Sequence, residues 1–253
     1  MDITQGEEQQ NAETWILALD TASSSVSAAV TNLTGEVTAQ TISREPHQHT
    51  EMLLPLVDGL LESRGLALKE AAAIAFSAGP GAFAGVRTAC AAAQGLAWAV
   101  DKPVIAVPTL EAAAVRLLEN HPEALCVMPV LDARMHECYV QVFERTREGA
   151  LPCPVTEAFN LAPNALPAFA RTHGVLVAGG TGLKAYPEAE AGLREFLAEG
   201  DDELEVTAEV VAQVGRLMML AGQTTPPALA APIYVRNRVA LTIEERRRGE
   251  KLQ

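Results

Sequence analysis

The 253 residues are enough for one large domain or two of moderate size, and 49% of them are hydrophobic, so a sizeable core can be buried. Only 4% are aromatic, which leaves that core to small and aliphatic side chains. The formal net charge of -13 repels phosphate backbones and excludes a chain that grips nucleic acid by itself; something basic would have to make that contact.

Met1 to Glu13 is polar and acidic and lacks the basic-then-apolar pattern of a secretory signal, so it is expected to be a loose tail. Trp15 to Leu19 is an apolar run ending in Asp20 and reads as a buried strand. Thr21 to Ser25 is a turn of small, hydroxyl-bearing residues. Val26 to Asn32 and Val37 to Ile42 follow as two more strands around the Thr34-Gly35-Glu36 turn. Thr50 can cap a helix that runs to about Arg64, with Leu53, Leu54, Val57, Leu60 and Leu61 at helical spacing and Gly65 as its stop. Ala71 to Ala78 reads as a buried strand, Val86 to Val100 as an Ala-rich helix, Pro103 to Val107 as a strand, and Thr109 to Asn120 as a helix capped by Thr109. The run Ala71 to Val86 is free of charge, but it contains Gly-Pro-Gly and is too short to span a bilayer.

A second unit is expected from near His121. It holds strands at Leu125 to Leu131, Glu137 to Phe143 and Val175 to Ala178, then a helix at Thr207 to Gly222. Pro232 to Arg236 reads as short and extended, and Glu244 to Lys251 as charged and solvent-facing. A strand meander followed by alternating strands and helices points to an α/β fold of two lobes, with mixed sheets flanked by helices. The expected division is 14–112 for the first lobe and 113–242 for a smaller second one. Its C-terminal segment would return to the first lobe, and 1–13 and 243–253 are tails.

Asp20 at a strand end, with Thr21 and Ser23 in its hydroxyl-rich turn, could face a nucleotide phosphate. The same residues could equally satisfy the backbone of a hairpin. Gly79, Pro80, Gly81, Phe83, Gly85 and Arg87 form a turn between a strand and a helix that demands a special backbone path. Its spacing is neither that of a P-loop nor that of a dinucleotide fingerprint, and no lysine is near. His47 and His49 lack further ligands in their segment, so no metal site is expected. Cys90, Cys126, Cys138 and Cys153 show no Cys-x-x-Cys spacing, which suits reduced thiols in a cytoplasmic protein. The Gly-x-Ser-x-Gly elbow of a serine hydrolase is missing, which argues against a peptidase.

Six segments together carry a resemblance: Ile-Leu-Ala-Leu-Asp-Thr-Ala at 16–22, His-Thr-Glu-Met-Leu-Leu-Pro at 49–55, Gly-Pro-Gly-Ala-Phe-Ala-Gly-Val-Arg at 79–87, Leu-Asp-Ala-Arg at 131–134, Gly-Gly-Thr-Gly at 179–182 and Pro-Ile-Tyr-Val-Arg at 232–236. Over roughly 14–242 the chain resembles the bacterial TsaB (YeaZ) family of tRNA threonylcarbamoyladenosine biosynthesis proteins. It departs from the family's usual turn at Ala82 and Ala84, where Ser and Thr are common, and this favours a backbone and packing role for the turn.

The resemblance implies an actin-like, sugar-kinase-like ATPase (ASKHA) fold. It implies a part in placing threonylcarbamoyl on the adenosine beside the anticodon of tRNAs reading ANN codons. The role would be that of a non-catalytic scaffold for a TsaD-type catalytic subunit, joined by a TsaE-type ATPase. No catalytic residue and no intrinsic cofactor are implied; ATP or ADP could sit at the complex interface. A homodimer could use the same surface, and tRNA would be met only through the complex. Both the helix after His49 and the helix after Arg87 are apolar over more than one face, so the expected partner interface is His49, Met52, Leu53, Leu56, Leu60, Val86, Ala89, Ala93 and Ala97. The alternative is a stand-alone nucleotide-dependent enzyme of the actin-like ATPase class, for which Asp20 would be central.

Overall fold

Strand β1 (Trp15–Asp20) is buried along its whole length, because its alternate side chains enter two different cores. Ile16 and Ala18 point to one side, Leu17 and Leu19 to the other. The structure is a computed structural model that describes residues 13–43, 49–147, 149–195, 197, 199–201, 204–235 and 248.

Four further strands build the first sheet: β2 (Val26–Asn32), β3 (Val37–Ser43), β4 (Ala73–Gly79) and β5 (Val104–Pro108). Their order is β3-β2-β1-β4-β5, antiparallel among the first three and parallel from β1 to β5. Helices α1 (His49–Arg64) and α2 (Phe83–Ala99) cover the Leu17 and Leu19 face with Leu53, Val57, Leu60, Ala89, Ala93 and Ala97. Helix α3 (Thr109–Asn120) covers the Ile16 and Ala18 face with Leu110, Ala113 and Leu117.

The second sheet is built on β6 (Cys126–Arg134) and β7 (Glu137–Val140), a tight antiparallel pair. Its short strands are β8 (Phe143–Glu144), β9 (Cys153–Pro154), β10 (Phe159–Leu161), β11 (Val177–Gly179) and β12 (Glu199–Asp201). The main order is β10-β7-β6-β11-β12, and β8 joins β6 to β9. Helices α4 (Leu166–Thr172), α5 (Thr181–Ala185) and α6 (Pro187–Arg194) accompany it. The last helix, α7 (Ala208–Leu220), packs back on the first sheet, with Val210, Val211 and Val214 in the same core as Ile16 and Ala18. Gly215 of α7 lies so close to β4 that a Cβ there would meet the Ala75 methyl at 2.8 Å.

Several expectations change in detail. The Ala-rich helix starts at Phe83 rather than Val86, so half of the glycine motif belongs to its first turns. Thr109 does not cap α3; it is the first helical residue, and its hydroxyl accepts a hydrogen bond from the Gly79 N–H at 3.1 Å. The strand expected over Glu137 to Phe143 is two strands, β7 and β8. Helices α4 and α6 were not expected; Pro167 and Pro187 at their starts are the signal that was available. His47, Arg236 and, apart from Arg248, the charged C-terminal run lie outside the described residues. His49 opens α1, and its side chain lies outside the description.

Candidate functional site

The carboxyl ends of the parallel strands β1 and β4 meet the segment leading into α7, and three of the motif segments converge there. Asp20 is fully buried. The Ala22 N–H donates to its Oδ1 at 3.2 Å, the Ser23 hydroxyl pairs with its Oδ2, and the Ser77 hydroxyl of β4 lies beside it. Burial raises the carboxyl above its ordinary range, with a smaller push from the Glu205 carboxylate. Thr21 is also buried, and its hydroxyl donates to the Gly85 carbonyl at 2.6 Å.

The glycine motif is laid directly onto this turn. The Ala82 N–H donates to the Ala22 carbonyl at 2.9 Å. A Cβ on Gly85 would stand 1.8 Å from the Thr21 carbonyl oxygen, so only glycine permits the contact. Gly79 has φ 107°, and a Cβ there would meet the Ile233 carbonyl oxygen at 2.7 Å. The Gly79–Pro80 peptide is cis. The C-terminal segment completes the junction. Ile233 N–H donates to the Ala78 carbonyl at 2.7 Å, and Tyr234 OH accepts from Arg87 Nε at 2.9 Å. The Arg87 guanidinium also lies 3.8 Å from the Phe83 ring centroid, a cation–π contact.

Beside the junction is a cleft of about 660 Å³, lined among others by Ser23, Phe83, Asp132, Tyr139, Val206 and Tyr234. On its far wall Asp132 pairs with Arg134 at 3.0 Å, accepts from Tyr186 OH at 3.1 Å, and its N–H donates to Thr181 Oγ1 at 3.2 Å. Arg134, Met135 and His136 all have φ near +60° in the β6–β7 hairpin. The 131–134 and 179–182 segments thus come together, as do 20–25, 79–87 and 232–235. Tyr139, Tyr186 and Val206 were not singled out from the sequence. Only their packing against the motifs marks them.

A nucleotide phosphate does not fit at Asp20 and Thr21. The space before the strand end is filled by the backbone of the Gly81 to Gly85 turn, and both side chains are spent on internal hydrogen bonds. Ser23 and Ser24 alone of that turn's hydroxyl residues border the cleft. Among the described residues no group of three or more His, Cys, Asp or Glu side chains is placed to hold a metal ion. Nor is any described helix long and apolar enough to cross a membrane.

The interface set needs a correction. Leu53, Leu60, Val86, Ala89, Ala93 and Ala97 are buried inside the chain and cannot meet a partner directly. Met52 and Leu56 are half-buried. What α1 and α2 turn outward is a different set. Leu54 is 52% exposed, Phe83 49% and Trp98 69%, while Ala91 and Gly95 lie open between the two aromatics on α2. The two helices touch, and Thr50 and Thr88 share a hydroxyl contact of 3.2 Å.

Comparison with known proteins places this geometry. Residues 36–202 match the family model described as "TsaD: tRNA N6-adenosine threonylcarbamoyltransferase". The tRNA threonylcarbamoyladenosine biosynthesis protein TsaB of Escherichia coli is 35% identical over 227 residues, which is 89% of this chain and 96% of that protein. The TsaB protein of Haemophilus influenzae is 31% identical over 88% of this chain and 94% of its own length. A solved Pseudomonas aeruginosa structure, described as an uncharacterized protein with similarity to peptidase YEAZ, superposes with a TM-score of 0.77 at 30% identity, covering 88% of this chain and all of that one. The fold is that of the solved YeaZ structures, an α/β class with mixed sheets flanked by helices as expected from the sequence, and the role is in threonylcarbamoyladenosine modification of tRNA. The chain belongs to the TsaB (YeaZ) family of tRNA threonylcarbamoyladenosine biosynthesis proteins.

Proposed function

We propose that the chain is a non-catalytic scaffold, which binds a TsaD-type catalytic subunit and supports formation of the threonylcarbamoyl group on adenosine beside the anticodon. The observation that carries this reading is the outward face of α1 and α2. Leu54, Phe83 and Trp98 are large apolar side chains held in water, and Ala91 and Gly95 let another helix approach closely. Large apolar side chains left exposed favour association, and tryptophan is a frequent anchor of interfaces. The sealed Asp20 turn supports the non-catalytic half of the reading, because it offers no open carboxylate to a reacting phosphate.

A TsaE-type ATPase joins the pair in this scheme, and ATP or ADP is held where the subunits meet rather than at Asp20. The charge of -13 leaves tRNA to the other subunits. Without its partner the chain can cover the same face by forming a homodimer. The setting is the cytoplasm.

The test is co-purification with a tagged TsaD-type protein, using wild type, Leu54→Asp and Trp98→Glu. Wild type should be retained and both variants lost, with circular dichroism unchanged. Failure of wild type to bind, or retention of both folded variants, would refute the proposal.

A further inference from the structure

The hydrogen bonds around Ser23 constrain the protonation of Asp20. A serine hydroxyl has one proton to donate and can accept from others. Ser23 Oγ lies 2.7 Å from the Val206 carbonyl oxygen and also contacts Asp20 Oδ2. The carbonyl can only accept, so the Ser23 proton goes to Val206. The contact to Asp20 then needs its proton from the carboxyl itself. An ionised Asp20 would claim the Ser23 proton and leave the Val206 oxygen facing a bare hydroxyl oxygen at the part-buried edge of the cleft.

We infer that Asp20 is a protonated, hydrogen-bond-donating acid in the folded chain, and that the relay Asp20–Ser23–Val206 ties the end of β1 to the segment entering α7. The rest of that junction has the same purpose. Ser24 Oγ donates to Glu205 Oε1 at 2.6 Å, and the Ala208 N–H donates to Ser27 Oγ at 2.8 Å. Three contacts on consecutive turns of chain thus fasten the 205–208 segment, which comes from the second sheet, to the first hairpin. The signature aspartate of this strand end acts here as a neutral tie, not as an open ligand for a phosphate group.

The groups facing the Asp20 carboxyl are Ser23 and the Ala22 N–H from its own turn, Ser77 from β4, and the Glu205 carboxylate from the segment entering α7. Burial, the largest effect, and Glu205 oppose ionisation; the Ala22 N–H and Ser77 favour it, and Ser23 would favour it only by turning its proton from Val206 to Asp20. The folded chain therefore holds the Asp20 proton above the ordinary 3.8. The stability that the neutral acid contributes is complete below that value and is lost as pH rises through the higher folded one.

The experiment is a pH titration of the full chain carrying carboxyl-labelled aspartate, followed by carbon NMR. The Asp20 signal is assigned by its loss in Asp20→Asn, whose amide can still donate to Ser23. The expected result is that Asp20 keeps the chemical shift of a neutral acid at pH values where the other aspartates have titrated. A second readout compares infrared spectra at neutral pH, where wild type should retain a neutral-acid carbonyl band that Asp20→Asn lacks. An Asp20 signal that titrates together with the other aspartates, or a neutral-pH spectrum without that band, would overturn the inference.

Discussion

The Asp20 turn and the outer face of α2 lie at opposite ends of one contrast. The first is polar and sealed; the second is apolar and open. Asp20 and Thr21 are wholly buried beneath the glycine motif, whereas on α2 Trp98 is 69% exposed and Phe83 49%. Chemistry-bearing side chains are thus used for internal ties, and the side chains that would normally fill a core are displayed. For the scaffold role proposed above, the display is the more informative of the two.

The sharpest way to break the contrast is to add one methyl group at each region. Gly85→Ala would put a Cβ 1.8 Å from the Thr21 carbonyl and should cost about 4 kcal/mol or more, or prevent folding. Gly95 has nothing within 4 Å, so Gly95→Ala should raise stability by about 0.5–1 kcal/mol through helix propensity alone. Urea unfolding of the two variants of the isolated chain measures both. Similar midpoints for the two would mean that the motif is not pressed onto the Asp20 turn.

Adjacent leucines on α1 make the next comparison. Leu53 is 1% exposed and packs with Leu17, Leu19 and Phe76, so Leu53→Ala should cost about 2–5 kcal/mol. Leu54→Asp should change unfolding by no more than about 0.5 kcal/mol. Chemical denaturation separates them, and equal losses would place Leu54 in the core as well.

A pH effect of intermediate size comes from α3. Burial pushes Glu111 up from 4.5 to about 6. Its neutral form is favoured by folding, so that contribution is complete below 4.5 and is lost as pH rises through about 6. Glu111→Gln should therefore be more stable than wild type above that range, on the order of 1 kcal/mol, and equal to it at low pH. Thermal melts across pH that run parallel for the two proteins would contradict this. The smallest effect is expected at Tyr234→Phe, which loses one exposed hydrogen bond to Arg87 but keeps the ring. Unfolding should shift by no more than about 0.5–1 kcal/mol.

Much of the fold was legible in the sequence because its signals are local. The run Trp15 to Leu19 is apolar on both faces and becomes a central strand. The three glycines of 79–87 mark a turn that only glycine can make at Gly79 and Gly85. The candidate interface was misread for a physical reason. Helix α2 is alanine-rich on nearly every side, so hydropathy does not tell its inner face from its outer one. The choice fell on Ala89, Ala93 and Ala97, which are buried, and passed over Trp98, whose exposure depends on where α2 lies on the sheet. Thr109 stands where a cap usually stands, yet a hydrogen bond from Gly79, thirty residues earlier in the chain, claims its hydroxyl. The burial of Asp20 was equally hidden, since the parts that seal it come from 79–87 and 205–208.

The most direct measurement is the affinity of the isolated chain for a TsaD-type protein, by calorimetry, before and after Trp98→Ala. The expected result is a dissociation constant raised by about 30-fold or more, the scale of an interface anchor worth about 2 kcal/mol, with the melting temperature unchanged. An unchanged dissociation constant in the folded variant would show that the open face of α2 is not where the partner binds.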